Sequence, residues 1–204
     1  MTAIRPFRTG DEAAIARICL LTADAGKDAT GILPDDDLWA AVFALPYVAR
    51  HPDFAFVAED DAGSPAAYVV AAPDTAAFDA WFRDEWWPRF HDRWPLPARA
   101  DRSREAAIVR SAWRRGTESS DPGEEQLEAA YPAHLHIDLL PSLQGQGLGR
   151  RLIDTMLDRL REASVPGVHL GVDPRNTGAQ AFYSRLGFAP LPAPPGVFDY
   201  GMSL

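Results

Sequence analysis

Apolar residues recur along this chain with two periods, and the switches between them outline alternating strands and helices. Ile4 to Phe7 reads as a short strand. Pro6 lacks the N–H that a ladder needs, so the strand belongs at an edge. Thr9 with Glu12 three residues later has the form of a capping box. Ala13, Ile15, Ile18 and Leu21 then give a helical stripe. Gly26 to Asp37 is polar and turn-rich and predicts a loop, and Trp39 to Tyr47 predicts a second short helix. Phe54–Ala58 and Ala66–Ala72 read as strands of one hairpin joined by the turn Asp60–Pro65. His134 to Leu140 is an apolar strand stopped by Pro141. After a glycine-rich turn, Leu148, Leu152, Met156, Leu157 and Leu160 mark an amphipathic helix. Val168–Val172 predicts a strand. Asn176–Leu186 predicts a helix with Gly187 at its C-terminal cap. Phe188 opens a strand, a connector holds Pro190, Pro192, Pro194 and Pro195, and Val197–Met202 predicts a final strand. No internal repeat is visible.

Residues 74–131 break this rhythm. Trp81, Trp86, Trp87, Trp94 and Trp113 lie there among dense charges of both signs. Tryptophan at that density predicts helices and ordered loops, with Gly116–Glu125 as a mobile loop.

Composition narrows the class. The chain has 204 residues, 47% hydrophobic, 24% charged and 10% aromatic, which fits one folded α/β domain over residues 1–204 with 74–131 as an insert. A net charge of −9 gives no basic field to offset phosphate repulsion, so nucleic acid is excluded as a partner and cationic ligands are favoured. The single cysteine, Cys19, cannot form a disulfide within the chain and reads as a small buried hydrophobe. No apolar run approaches the ~18 residues of a membrane helix, and residues 1–5 carry no leader-like apolar run. A cytoplasmic address is expected; the oligomeric state is not read from the sequence.

The informative turn is Gln144-Gly145-Gln146-Gly147-Leu148-Gly149-Arg150, between a strand and a helix. Its glycines permit positive φ and close backbone approach. The helix start presents unpaired N–H groups with partial positive charge, together an anion site suited to a pyrophosphate. A dinucleotide fingerprint needs G-x-G-x-x-G, whereas Gly145, Gly147 and Gly149 give G-x-G-x-G; a Walker A loop needs a Gly-Lys-Ser/Thr that is absent. A Ser-His-Asp hydrolase lacks its G-x-S-x-G elbow.

The run Gln144-x-x-Gly147-x-Gly149 resembles motif A of the GCN5-related N-acetyltransferases, the GNAT superfamily. Ile4-Arg5-Pro6 with Asp11 is similar to the family's opening strand and helix. Asn176, Ala179, Phe182, Tyr183, Gly187 and Phe188 resemble its motif B, N-x-x-A-x-x-F-Y-x-x-x-G-F. A narrower resemblance, on His134–Pro141 and Tyr200–Leu204, is to bacterial relatives of the acetyltransferase-like C-terminal domain of O-GlcNAcase. The resemblance implies a GNAT fold, a mixed, mostly antiparallel sheet flanked by helices. It implies acetyl-CoA as co-substrate and direct transfer of acetyl to an amine of a small molecule or peptide. A non-catalytic acyl-CoA-binding or protein-interaction module is the alternative.

By the same resemblance, the main chain at Leu139 and Leu140 binds the pantetheine arm where two parallel strands splay, and polarises the thioester carbonyl. N–H groups across Gln144, Gly145, Gln146, Gly147, Leu148, Gly149 and Arg150 hold the pyrophosphate. Asn176 contacts the cofactor arm, and Tyr183 protonates the departing thiolate. The base is open between Asp138 and His136. Both share a strand face with His134 because side chains alternate along a strand. The family's glutamate base falls at Ala133 and does not carry over. His134, His136 and Asp138 also have the chemistry of metal ligands. No further partner motif is present, and no metal is expected. The tryptophan-rich insert is expected on the acceptor side, its aromatic faces able to hold a cation or sugar ring or packed as a lid core.

Overall fold

The computed structural model describes residues 3–117, 129–192 and 198–204 of the chain. Seven strands form one sheet in the order β1-β2-β3-β4-β5-β7-β6. They are β1 (Ile4–Pro6), β2 (Ala55–Glu59), β3 (Pro65–Ala72), β4 (Ala133–Leu139), β5 (Gly167–Val172), β6 (Ala189–Pro190) and β7 (Phe198–Ser203). β1 lies at the edge, where Pro6 costs no central ladder bond. All neighbouring pairs are antiparallel except β4 and β5. A parallel pair needs a crossover, and α6 (Leu148–Glu162) supplies it. β4 and β5 pair only at Ala133↔Val168 and His134↔His169; beyond those positions they part.

The sheet divides two cores. On one face Ala133 and Leu135 of β4 pack with α6 and α7 (Thr177–Leu186), through Leu152, Ile153, Met156, Leu160 and Tyr183. On the other, Tyr68 and Val70 of β3 pack beneath α1 (Glu12–Leu20), α2 (Asp37–Phe43) and α3 (Leu45–Arg50). The helix expected over Trp39–Tyr47 is thus two helices. Pro46 sits in the first turn of α3 and lacks the N–H needed to continue α2. Ala44, at φ −136° and ψ −57°, makes the break, which swings the fully buried Tyr47 onto the sheet.

The capping box expected at Thr9 does not form: Asp11 occupies the cap position and caps with no side-chain bond. Its carboxylate instead accepts from Arg8 N–H at 2.8 Å and from Arg5 at 2.7 and 3.0 Å. Arg5 also reaches Glu59. A partly buried guanidinium attracts the carboxylate more strongly than a helix end does.

Between β3 and β4 run α4 (Thr75–Trp81), a π turn over Phe82–Trp86, a 3-10 turn over Trp87–Phe90, and α5 (Arg104–Arg114). Asp74 and Ser103 cap α4 and α5 by accepting from Ala77 and Ala106 N–H. The tryptophans are the core of this region. Trp87 stacks on Phe82 and Trp94 at centroid distances of 5.8 and 5.9 Å. Trp86 Nε1 donates to the Ala41 carbonyl at 2.9 Å, tying the region to α2. Trp81, Trp86 and Trp94 carry Arg50, Arg89 and Arg93 of the chain itself over their rings. Of the two expectations for these rings, ligand-holding faces or a packed lid core, the contacts fit the packed core. Truncating a ring as buried as Trp87 to alanine costs about 3–5 kcal/mol. Most of the loop expected over Gly116–Glu125, and the connector's Pro194 and Pro195, lie outside the described residues. Among those described, no helix is long and apolar enough to cross a membrane.

Candidate active site

Where β4 and β5 part, a cavity of about 280 Å³ opens. Leu135, Ile137 and Asp138 line one side, Gly171, Val172 and Asp173 the other, and Asn176 and Tyr183 close it from the α7 end. Leu140 N–H is donated to Ala66 O of β3 at 3.0 Å. By strand alternation the main-chain groups of Ile137 and Leu139 therefore face the parted side. The Leu139 carbonyl is taken by Gln144 Nε2 at 2.9 Å, which leaves the Leu139 N–H. The expected pair Leu139–Leu140 thus reduces on the cleft side to Leu139, with Ile137 added.

Two glycines of the following turn serve conformation. Gly145 and Gly147 have φ of +73° and +74°, the left-handed region that side chains disfavour. Gly147 caps α6 with no side-chain bond, so the N–H groups of Leu148, Gly149 and Arg150 are the helix's unpaired donors. Gly149 serves packing, since a Cβ there would lie 3.2 Å from Phe182 Cζ of α7. Gln146 Nε2 donates to Ser142 O at 2.7 Å and braces the turn. The exposed Arg150 reaches the Arg185 carbonyl at 3.4 Å.

Asn176 caps α7, its Oδ1 accepting from Ala179 N–H at 3.0 Å, which leaves its Nδ2 for the cleft. Tyr183 packs against Phe182, Phe188 and Tyr200. Among the described residues its hydroxyl has no hydrogen-bond partner. Burial, and then the Asp138 carboxylate, push its phenol upward. Asp138 itself accepts from the Tyr68 hydroxyl on β3; burial raises its carboxyl against that bond.

A larger groove of about 960 Å³ lies on the same face. Thr75, Asp79 and Arg83 form one wall, Arg110, Ser111 and Arg114 another, and His136, His169 and Asp199 lie on the sheet beneath. Phe43 and His136 line both cavities. Under the groove, Tyr47 Oη sits 2.7 Å from His134 Nε2 and 3.0 Å from His136 Nε2. Arg115 reaches Tyr47 Oη at 3.1 Å and Asp79 at 2.6 Å. Burial, with the Arg115 and His169 charges, pulls His136 down to about 4. The same burial and charges hold His134 well below its ordinary value.

The strand therefore splits the three residues it aligned. His134 is buried, His136 stands at the junction of the cavities, and Asp138 faces the cleft alone. Among the described residues no group of three such side chains is placed to hold a metal ion. Tyr47, Thr75, Arg115 and His169 were missed by sequence reasoning. Tyr47 in Leu45-Pro46-Tyr47-Val48 looks like any core aromatic, and His169 is isolated in its strand. A polar atom within an apolar segment was the hint for Tyr47 and His169; Thr75 and Arg115 sit among polar neighbours and carried none.

The fold is a mixed α/β sheet whose two parallel strands part beside a glycine turn, with a cleft and a larger groove that share Phe43 and His136. A model of the acetyltransferase (GNAT) family matches residues 21–188, and the chain belongs to that family, whose co-substrate is acetyl-CoA. The solved structure of a protein designated SsHAT is 42% identical, with a TM-score of 0.90 over 99% of this chain and 98% of that one. The mycothiol acetyltransferase of Geodermatophilus obscurus is 39% identical over 81 residues, 40% of this chain and 25% of that protein. That of Beutenbergia cavernae is 47% identical over 51 residues, 25% and 17% of the two chains. The chain thus spans a quarter or less of the length of these curated relatives.

Proposed function

We propose that this chain transfers the acetyl group of acetyl-CoA directly to an amine that enters through the larger groove. The observation that carries the reading is the junction: His136 lines both cavities, whereas Asp138 lines only the cleft. The Leu139 N–H and the Asn176 amide receive the pantetheine arm, and the N–H groups from Gln144 to Arg150 receive the pyrophosphate. The amine nitrogen attacks the thioester carbonyl carbon. Its proton passes to His136, which is neutral at pH 7 because burial holds it at about 4. So weak a base suffices for an amine that has already begun to bond to carbon, because its proton is then acidic. The carbon–sulfur bond breaks and Tyr183 gives its proton to the sulfur. Asp138 supports that role by keeping the neighbouring phenol protonated. The α4–α5 wall is the acceptor side. We place the reaction in the cytoplasm, where a lone buried thiol such as Cys19 stays reduced.

Calorimetry of acetyl-CoA binding, with CoA release followed against a panel of amines and basic peptides, tests the proposal. Binding with amine-dependent release is expected. Binding without release from any amine would favour a binding module of the same fold. Absence of binding would sink the reading of the cleft.

A further inference from the structure

A chain of hydrogen bonds beneath the groove runs from the backbone at Pro132 to His136, and its direction follows link by link. The Thr75 hydroxyl lies 2.7 Å from the Pro132 carbonyl. A carbonyl can only accept, so the hydroxyl proton is spent there. Thr75 Oγ1 is left as an acceptor, and His134 Nδ1, 2.8 Å away, carries the proton between them. His134 is neutral, held so by burial and by Arg115, so its Nε2 is a bare lone pair. Arg115 gives the same answer independently: its Nη2, which can only donate, sits 3.4 Å from that Nε2. The Tyr47 hydroxyl, 2.7 Å from His134 Nε2, therefore donates to it. The Tyr47 oxygen has only accepting capacity left. It accepts from Arg115 Nη2 at 3.1 Å and from His136 Nε2 at 3.0 Å. His136 Nε2 thus carries the ring proton, and Nδ1 is the bare nitrogen. Among the described residues no group bonds His136 Nδ1.

We propose that Thr75, His134 and Tyr47 are positioning residues that hold His136 as its Nε2–H tautomer and so make Nδ1 the nitrogen that takes the acceptor's proton. The inference rests on His136 as the base and extends it to the acting atom and to what fixes that atom. The chain of bonds ends on a carbonyl, which cannot pass a proton on. It sets a direction and is no proton wire, so the proton that His136 gains leaves through the groove. The groups around His136 are Tyr47 of α3, Phe43 of α2, His134 and Asp138 on its own strand, His169 of β5, and Arg115 after α5. An imidazole without such a partner populates both tautomers, and the wrong one offers the amine an N–H.

Two-bond 1H–15N spectra of the 15N-histidine-labelled full chain at pH 7 test this, with signals assigned by loss in His134→Gln and His136→Gln. Expected in the wild type are His134 bare at Nε2 and His136 bare at Nδ1. In Tyr47→Phe, His136 is expected to become a mixture of tautomers while His134 stays fixed by Thr75 and Arg115. In the same variant kcat is expected to fall roughly tenfold, a part of the ~10²–10⁴-fold that a positioned proton acceptor supplies. KM for acetyl-CoA should stay unchanged. If Tyr47→Phe fails to fold, Thr75→Val removes the 2.8 Å partner of His134 Nδ1 and leaves the long 3.4 Å Arg115 contact to hold the ring's direction, so both tautomers are expected to loosen, with Thr75→Ser restoring them. A wild-type His136 protonated at Nδ1 overturns the proposal. So does an unchanged tautomer in the variants, or an unchanged kcat in an active Tyr47→Phe enzyme. The spectra need no turnover, so an inactive chain with the expected tautomers would remove the acetyl-transfer reading and leave the tautomer assignment standing.

Discussion

The two cavities that meet at His136 are built in opposite ways. The donors that the smaller cleft offers a cofactor are mostly main-chain N–H groups, at the parted end of β4, a glycine turn and a helix start. Residues 135–138 and 171–183 line the cleft on the sheet and α7 side, residues 19–26 with Trp39 and Phe43 of α2 close it from above, and the glycine turn follows directly after β4. The larger groove is made of side chains from α2, α4, α5, β4, β5 and β7. The contrast teaches where each kind of recognition is encoded. A site made of N–H groups depends on local backbone conformation, which a few glycines and a cap specify. A site made of side chains depends on which segments the fold brings together.

That contrast can be broken or sharpened by substitution. The largest expected effect is Tyr183→Phe, which removes the proton that we propose for the leaving sulfur. Its kcat should fall by ~10²–10⁴-fold while calorimetric acetyl-CoA affinity stays near wild type. Comparable turnover would remove Tyr183 from that role. His136→Gln should cost roughly 10²-fold in kcat, and Asp138→Asn distinctly less. A reversed order would move the base from the junction into the cleft. Gly147→Val strikes the main-chain site alone. Forcing a branched side chain to φ +74° costs about 1–2 kcal/mol, or roughly tenfold in acetyl-CoA affinity by titration. Turnover at saturating acetyl-CoA should survive.

The pH dependence of stability reports the groove side. His136 titrates at about 4 in the folded chain against 6.5 ordinarily, so between those values the unfolded chain binds more protons. Stability is then full above 6.5 and declines as the pH falls towards 4. His134 adds to the same slope from its own depressed value. Melting temperatures from pH 8 to 5 should show this fall, and His136→Gln should flatten it. Asp11, held below its ordinary value by Arg5, adds a further loss only at lower pH. The smallest effect is expected at Asp24, whose carboxylate joins Arg104 of α5 to Arg175 before α7, each at 3.0 Å. Asp24→Asn should change acetyl-CoA affinity by no more than a few-fold, as an exposed ion pair contributes little.

Much of the fold was legible because its periodicities are strong. Val168–Val172, the α6 stripe of Leu148, Leu152, Met156 and Leu160, and the helix from Asn176 to Leu186 with its Gly187 cap appear where the pattern places them. The differences have separate physical causes. Asp11 turned from helix capping to Arg5, and Pro46 cut one expected helix into two. For the tryptophans the sequence leaves ligand faces and a packed lid core both open, and the rings satisfy one another. Nothing in a spacing pattern reveals that Trp87 stacks on Trp94 rather than on a substrate.

The sequence by itself determined the family, the crossover between parallel strands, the glycine turn and the place of Tyr183, because each is written in a contiguous run. It aligned His134, His136 and Asp138 on one face but could not rank them. Only the tertiary structure ranked them. It set Tyr47, 87 residues away in sequence from His134 and 89 from His136, between the two imidazoles. It also set the partly buried Arg115 beside them and left His136 at the junction of two cavities. A histidine's protonation and direction come from the atoms that touch it, and those atoms become neighbours only when the chain folds.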